Sequence, residues 1–217
     1  MNAIRSRLGT RNVRYDSCVK SQLVAYIDES SAPRPPDHQE YMVCAVIANI
    51  DDVEAVREAL YPLRLPGQVK LHWTDERDSR RRKIVDTLSS IDSMQAIITH
   101  RSSPSRKTER FRRKCLEQMY YELSDMRIQD VTLESRQEAQ NKKDREHIVA
   151  LQGQGQCADL RIKHVRGGDD PLLWIPDAVL GAFNSIHLGQ GQFWEPIQDK
   201  LLFIQKTPDS LPLPTDL

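Results

Sequence analysis

The alternation of apolar and polar positions divides this chain into short strands and amphipathic helices. Gln22 to Asp28 (QLVAYID) is an apolar, β-prone run that predicts a buried strand ending at Asp28 and Glu29. Ser30 to Asp37 carries three prolines and predicts a turn. Tyr41 to Asn49 predicts a second strand, antiparallel to the first if the connection is a hairpin. Asp51 or Asp52 caps a helix reaching to about Leu63, with Val53, Val56, Leu60 and Leu63 on one face. Val69 to Trp73 (VKLHW) is a short extended piece. Thr74 then reads as the N-cap of a helix to about Ser89 that buries Ile84, Val85 and Leu88.

The second half alternates. Met94 to His100 predicts a third strand, and a Ser-rich, basic loop follows from Arg101 to Lys107. A long helix from Thr108 to Met126 places Phe111, Cys115, Leu116, Met119 and Leu123 at helical spacing. Asp130 to Glu134 predicts a fourth strand, Gln137 to Leu151 a polar helix, and Asp159 to Val165 a fifth strand. Leu172 to Ile186 is an apolar helix with Asp177 inside it, and the three-proline tail after Thr207 is expected to be disordered. This order predicts an α/β fold: a mixed sheet of about five strands with helices on both faces. In domain terms, residues 1–20 are expected to form a flexible N-terminus. Residues 21–190 form a single domain with an insertion at 52–92, and 191–217 form an extension.

At 217 residues the chain is long enough for one core without metal or disulfide staples. Its longest unbroken apolar run, Tyr41 to Ala48, is far short of the ~20 residues that span a bilayer. The basic N-terminus lacks the apolar segment of a signal peptide. The cysteines at 18, 44, 115 and 157 form no CxxC or Cys/His cluster, so they read as reduced thiols in a cytoplasmic protein. Thirty-one basic residues balance thirty-one acidic ones, which argues against a binder that works by bulk positive charge.

Three carboxylates stand out in apolar surroundings: Asp28 at the end of the first strand, Glu134 at the end of the fourth, and Asp177 in PLLWIPDAVLGAF. If strands one and four are parallel neighbours, Asp28 and Glu134 meet at their C-terminal ends, where ligands collect in open α/β sheets. Asp177 can then complete a cluster of the oxygen-rich kind that holds Mg²⁺ or Mn²⁺ for phosphoryl chemistry. Each carboxylate taken alone also suits a helix cap or a turn.

YIDES with its turn and apolar second strand, the LHW segment at 71–73, and PLLWIPDAVLGAF together resemble the DUF3800 family over about residues 22–187. That family is uncharacterised and is expected to have an RNase H-like fold. The resemblance implies three antiparallel strands at the start of the sheet and a metal-binding acidic cluster. Matched position by position, Asp28, Glu29, His72 and Asp177 carry the family's pattern, and Glu134 stands where Asp is usual. The Gly after DES is Ser31 here. RNase H enzymes add a helix carboxylate, for which Glu109, Glu117 and Asp144 are all candidates. His72 is either a packed residue beside Trp73 or a general base near the metals.

The basic residues cluster twice. Arg80, Arg81, Arg82 and Lys83 lie on one helix. Arg106, Lys107, Arg110 and Arg113 lie at the start of another. Both clusters are candidate phosphate contacts, and both also suit a solvated helix face. The leading reading is a divalent-metal-dependent nuclease. The alternatives are an inert RNase H-like module that binds nucleic acid or a protein, and a small phosphodiester hydrolase using the same carboxylates.

Overall fold

A computed structural model describes residues 22–106 and 108–212. Strand β1 (Leu23–Arg34) and strand β2 (His38–Asn49) form a long antiparallel hairpin in register from Leu23↔Asn49 to Arg34↔His38. A turn of 3-10 helix leads into α1 (Val53–Leu60), and α2 (Asp78–Ser90) precedes β3 (Met94–Ser102), which is antiparallel to β2. Then come α3 (Thr108–Asp125), β4 (Asp130–Glu134), α4 (Glu138–Gly153), β5 (Arg161–Val165), α5 (Trp174–Ile186) and β6 (Leu201–Lys206). The six-stranded sheet has the order β5-β4-β1-β2-β3-β6. β4 lies parallel to β1, β5 parallel to β4, and β6 parallel to β3.

The period-two alternation of the strands creates two cores. Tyr26, Met42, Cys44, Val46 and Ile97 face α1, α2 and α5. Ala25, Ile27, Val43, Ala45, Ile47, Ala96 and Ile98 face α3 and α4. The first three strands are antiparallel, β4 sits beside β1, helices cover both faces, and a helical insertion separates β2 from β3. This is a mixed α/β sheet with helices on both faces, as the order of elements predicts.

The structure departs from the expected elements in four places. β1 continues through Ser30–Arg34, leaving only residues 35–37 to turn. The continuation is held by pairing with β2 and by Arg34, whose buried guanidinium donates to Glu40 (2.7 Å) and to Asn184 of α5 (2.6 Å). Asp28 and Glu29 are therefore mid-strand. They still lie just past the last β1–β4 pair, Ile27↔Leu133. Thr74 does not cap a helix: Trp73–Asp75 forms a 3-10 turn, and α2 begins after Arg77. β6 is a sixth strand at the sheet edge.

The chain after Thr207 is not loose within the described residues. Its backbone is tied to β3 by Thr207 N–H donating to Thr99 C=O (2.9 Å) and Leu211 N–H to Arg101 C=O (2.9 Å). Cys44, Cys115 and Cys157 are buried and unpaired. Among the described residues no helix is long and apolar enough to cross a membrane.

Candidate active-site cleft

A parallel β1–β4 pair with side chains alternating between faces sends Asp28 and Glu134 to the same side of the sheet, toward α5. Both line a cleft of about 260 Å³ with Lys70, His72, Thr74 and Asp177, and Glu29, Arg112 and Arg136 close its other wall. The segment before α2 and the first turn of α5 supply the rest. Asp177 Oδ2 accepts the Trp73 N–H (2.7 Å), which ties α5 to the 3-10 turn. Gly181, one turn further along α5, lets the Trp73 indole lie directly on the helix, since a Cβ there would meet its Cδ1 at 2.2 Å.

The three carboxylates act on one another. Burial pushes the Asp28 carboxyl well above its usual range, and the neighbouring charges of Glu134 and Asp177 push it further. Its partner is the Glu29 N–H, which donates to Oδ1 (2.8 Å). Burial also raises Asp177, partly offset by the Trp73 N–H, His72 and Lys70. Lys70 donates to Glu134 Oε1. Desolvation works against the Lys70 ammonium, but Glu134, Asp28 and Asp177 outweigh it and raise its pKa. His72 Nδ1 is engaged by the Thr74 hydroxyl (2.6 Å) and lies 3.9 Å from Asp75.

Glu29 is separated from this group. One residue along a strand reverses the face, so Glu29 points to α3, where Arg112 binds it and Arg136 lies 3.6 Å away. Arg112, only 3% exposed, also makes a two-pronged contact with Asp144, which in turn holds His164 (3.0 Å). Burial alone would raise Asp144, but His164 and Arg112 hold it down at about 2. The three helix carboxylates are thus all engaged on the α3–α4 side: Glu109 with Arg136, Glu117 with His147, Asp144 with Arg112. None of them lines the Asp28 cleft.

The basic candidates divide as well. Arg80 is bound to Glu76 (3.0 Å) and to the Leu63 carbonyl. Arg81 lies over the Trp73 ring at 5.2 Å and pairs with Asp78 (3.4 Å). Both hold the segment before α2 in place. Arg82 and Lys83, and on the other side of the sheet Arg106, Arg110 and Arg113, are exposed. Lys107 lies outside the described residues. Sequence reasoning missed Lys70 and the structural role of Arg112. The one polar position in the apolar run VKL flags Lys70, but nothing local separates Arg112 from its basic neighbours.

An all-oxygen donor set that suffers from its own negative charge suits a hard divalent cation. Asp28, whose side chain accepts only a single backbone N–H among the described residues, has lone pairs to offer. Lys70 now supplies positive charge at Glu134. Among the described residues no three His, Cys, Asp or Glu side chains stand close enough to form a ready-made metal-ligating group.

No protein-family model matches the chain, and no curated protein matches it. Among solved structures, a chain from the PCNA:RNase HII complex of Archaeoglobus fulgidus is similar, with a TM-score of 0.43 and 14% identity. The match covers 82% of this chain and 77% of that one.

Proposed function

We propose that the protein is a divalent-metal-dependent nuclease in which Asp28, Glu134 and Asp177 hold Mg²⁺ or Mn²⁺. The observation that carries the reading is the convergence of these three carboxylates on one cleft, where burial raises Asp28 and Asp177 and a divalent cation would offset that cost. Such a cation polarises a phosphodiester oxygen and makes an attacking water more acidic. Asp28 would be one ligand of that cation, and Asp177, another, is oriented by the Trp73 N–H. His72, its Nδ1 fixed by Thr74, is left to exchange a proton through Nε2 at the cleft rim. Glu29 acts as a positioning residue through Arg112 and Arg136 rather than as a ligand.

One observation favours a second reading. The Lys70 ammonium satisfies Glu134 without any metal, as expected for an inert module that keeps the fold and binds nucleic acid or protein. Incubating the purified chain with labelled RNA, DNA and RNA–DNA hybrid, with Mg²⁺ or Mn²⁺ and then with excess chelator, separates the two. The nuclease reading predicts chelator-sensitive cleavage of at least one polymer. Intact substrates in all combinations would leave the inert module.

A further inference from the structure

A second cleft, of about 430 Å³, opens between α3 and α4. It shares Arg112 with the carboxylate cleft, so the two lie on either side of that buried guanidinium. Its acids are already engaged. Asp144 is paired with Arg112 and hydrogen-bonded to His164, Glu109 is paired with Arg136, and Glu146 lies 3.8 Å from Lys142. Apart from Arg112, its cations are not. Arg110 and Arg113 share one side of α3 at i, i+3 spacing, Lys143 projects from α4, and all three are exposed. Among the described residues none of them has a carboxylate partner. A concave site that keeps unpaired cations after its own acids are matched attracts a polyanion.

We propose that the α3–α4 cleft is a backbone-phosphate subsite for a polynucleotide strand, with Arg110, Arg113 and Lys143 contacting phosphates beyond the bond held in the carboxylate cleft. The proposal rests on the nuclease reading for the position of that bond, but the phosphate contacts themselves do not depend on it. The subsite makes the substrate a polymer: a small phosphodiester reaches the carboxylates and never the α3–α4 cations.

The test compares two full-length proteins, Asp28→Asn and Asp28→Asn with R110Q, R113Q and K143Q, binding a fluorescent single-stranded oligonucleotide as RNA and as DNA. The three residues are exposed and have no ion-pair partner among the described residues, so the substitutions spare the fold. The added substitutions are expected to weaken binding about tenfold or more. They should also flatten the slope of log affinity against log salt by roughly 2, at about 0.7 per lost single-strand phosphate contact. R82Q/K83Q on α2 removes comparable charge and is expected to cost much less. Unchanged affinity and slope in the triple variant, or an equal loss from R82Q/K83Q, would overturn the subsite. With Asp28 intact and Mn²⁺ present, hydrolysis of bis(p-nitrophenyl) phosphate should be the same with and without R110Q/R113Q/K143Q. A protein that hydrolyses neither this diester nor the oligonucleotide would defeat the nuclease reading, while loss of binding in the triple variant would still support the subsite.

Discussion

Lys70 places its ammonium on the carboxylate of Glu134, on the same cleft that receives Asp28 and Asp177. Gly167 leaves room for the pair, since a Cβ there would meet Glu134 Oε1 at 2.6 Å and Lys70 Cδ at 2.8 Å. The lysine thus occupies charge space that a divalent cation would need. Lys70→Ala is expected to tighten Mn²⁺ binding roughly three- to tenfold, in line with a partly exposed pair worth ~1 kcal/mol. Loss of the free-ion signal in an electron paramagnetic resonance titration measures it. Weaker binding in the variant would mean that Lys70 supports the site instead of competing for it.

Asp28 and Asp144 give opposite pH signatures. Because the fold raises Asp28 above its ordinary 3.8, its ionisation costs native stability, and the cost grows as pH rises through and above that value. In chelator at neutral pH, Asp28→Asn is therefore expected to melt a few degrees higher than the parent, the gap closing toward pH 4. Asp144 is held at about 2, so its contribution is present above 3.8 and is lost as pH falls toward 2. Asp144→Asn should destabilise at neutral pH and converge with the parent only in strong acid. Thermal melts of both variants across pH check the two signs together.

Arg112 carries the charge balance of the α3 side. Replacing it with Met leaves Glu29 and Asp144 without their shared cation in a largely buried setting, and is expected to cost about 3–5 kcal/mol. Urea unfolding measures this. A cost below about 1 kcal/mol would show that Arg136 and His164 suffice.

Gly181→Ala tests the support beneath Asp177. The added methyl would drive into the Trp73 indole, whose backbone N–H fixes Asp177. Overpacking of this kind typically costs 1–3 kcal/mol. The variant is expected to lose stability in that range and to bind Mn²⁺ more weakly. A stability loss with unchanged metal affinity would uncouple Trp73 from the site.

Much of this architecture is legible in the residues. The apolar runs mark β1 to β4 because burial on one or both faces leaves a strong apolar signal, alternation marks the exposed β5, and the carboxylates at 28, 134 and 177 stand out against the apolar runs. β6 was not legible: Leu201–Lys206 is half exposed, and it owes its strand to pairing with β3, about a hundred residues earlier. Thr74 has the residue type of an N-cap, but its hydroxyl is spent on His72 and α2 begins after Arg77. Glu29 is adjacent to Asp28 in sequence, yet period-two alternation sends adjacent strand residues to opposite faces. The division of the arginines into those that brace the fold and those left free depends on tertiary partners such as Glu76 and Asp144. No local pattern encodes them.

The central claim is that Asp28, Glu134 and Asp177 jointly hold one divalent-cation site. A calorimetric titration of Mn²⁺ into the parent protein and into Asp28→Asn, Glu134→Gln and Asp177→Asn tests it most directly. Saturable binding by the parent, weakened roughly tenfold or more by each single substitution, is the predicted result. No binding by the parent, or binding that all three variants retain in full, would contradict it.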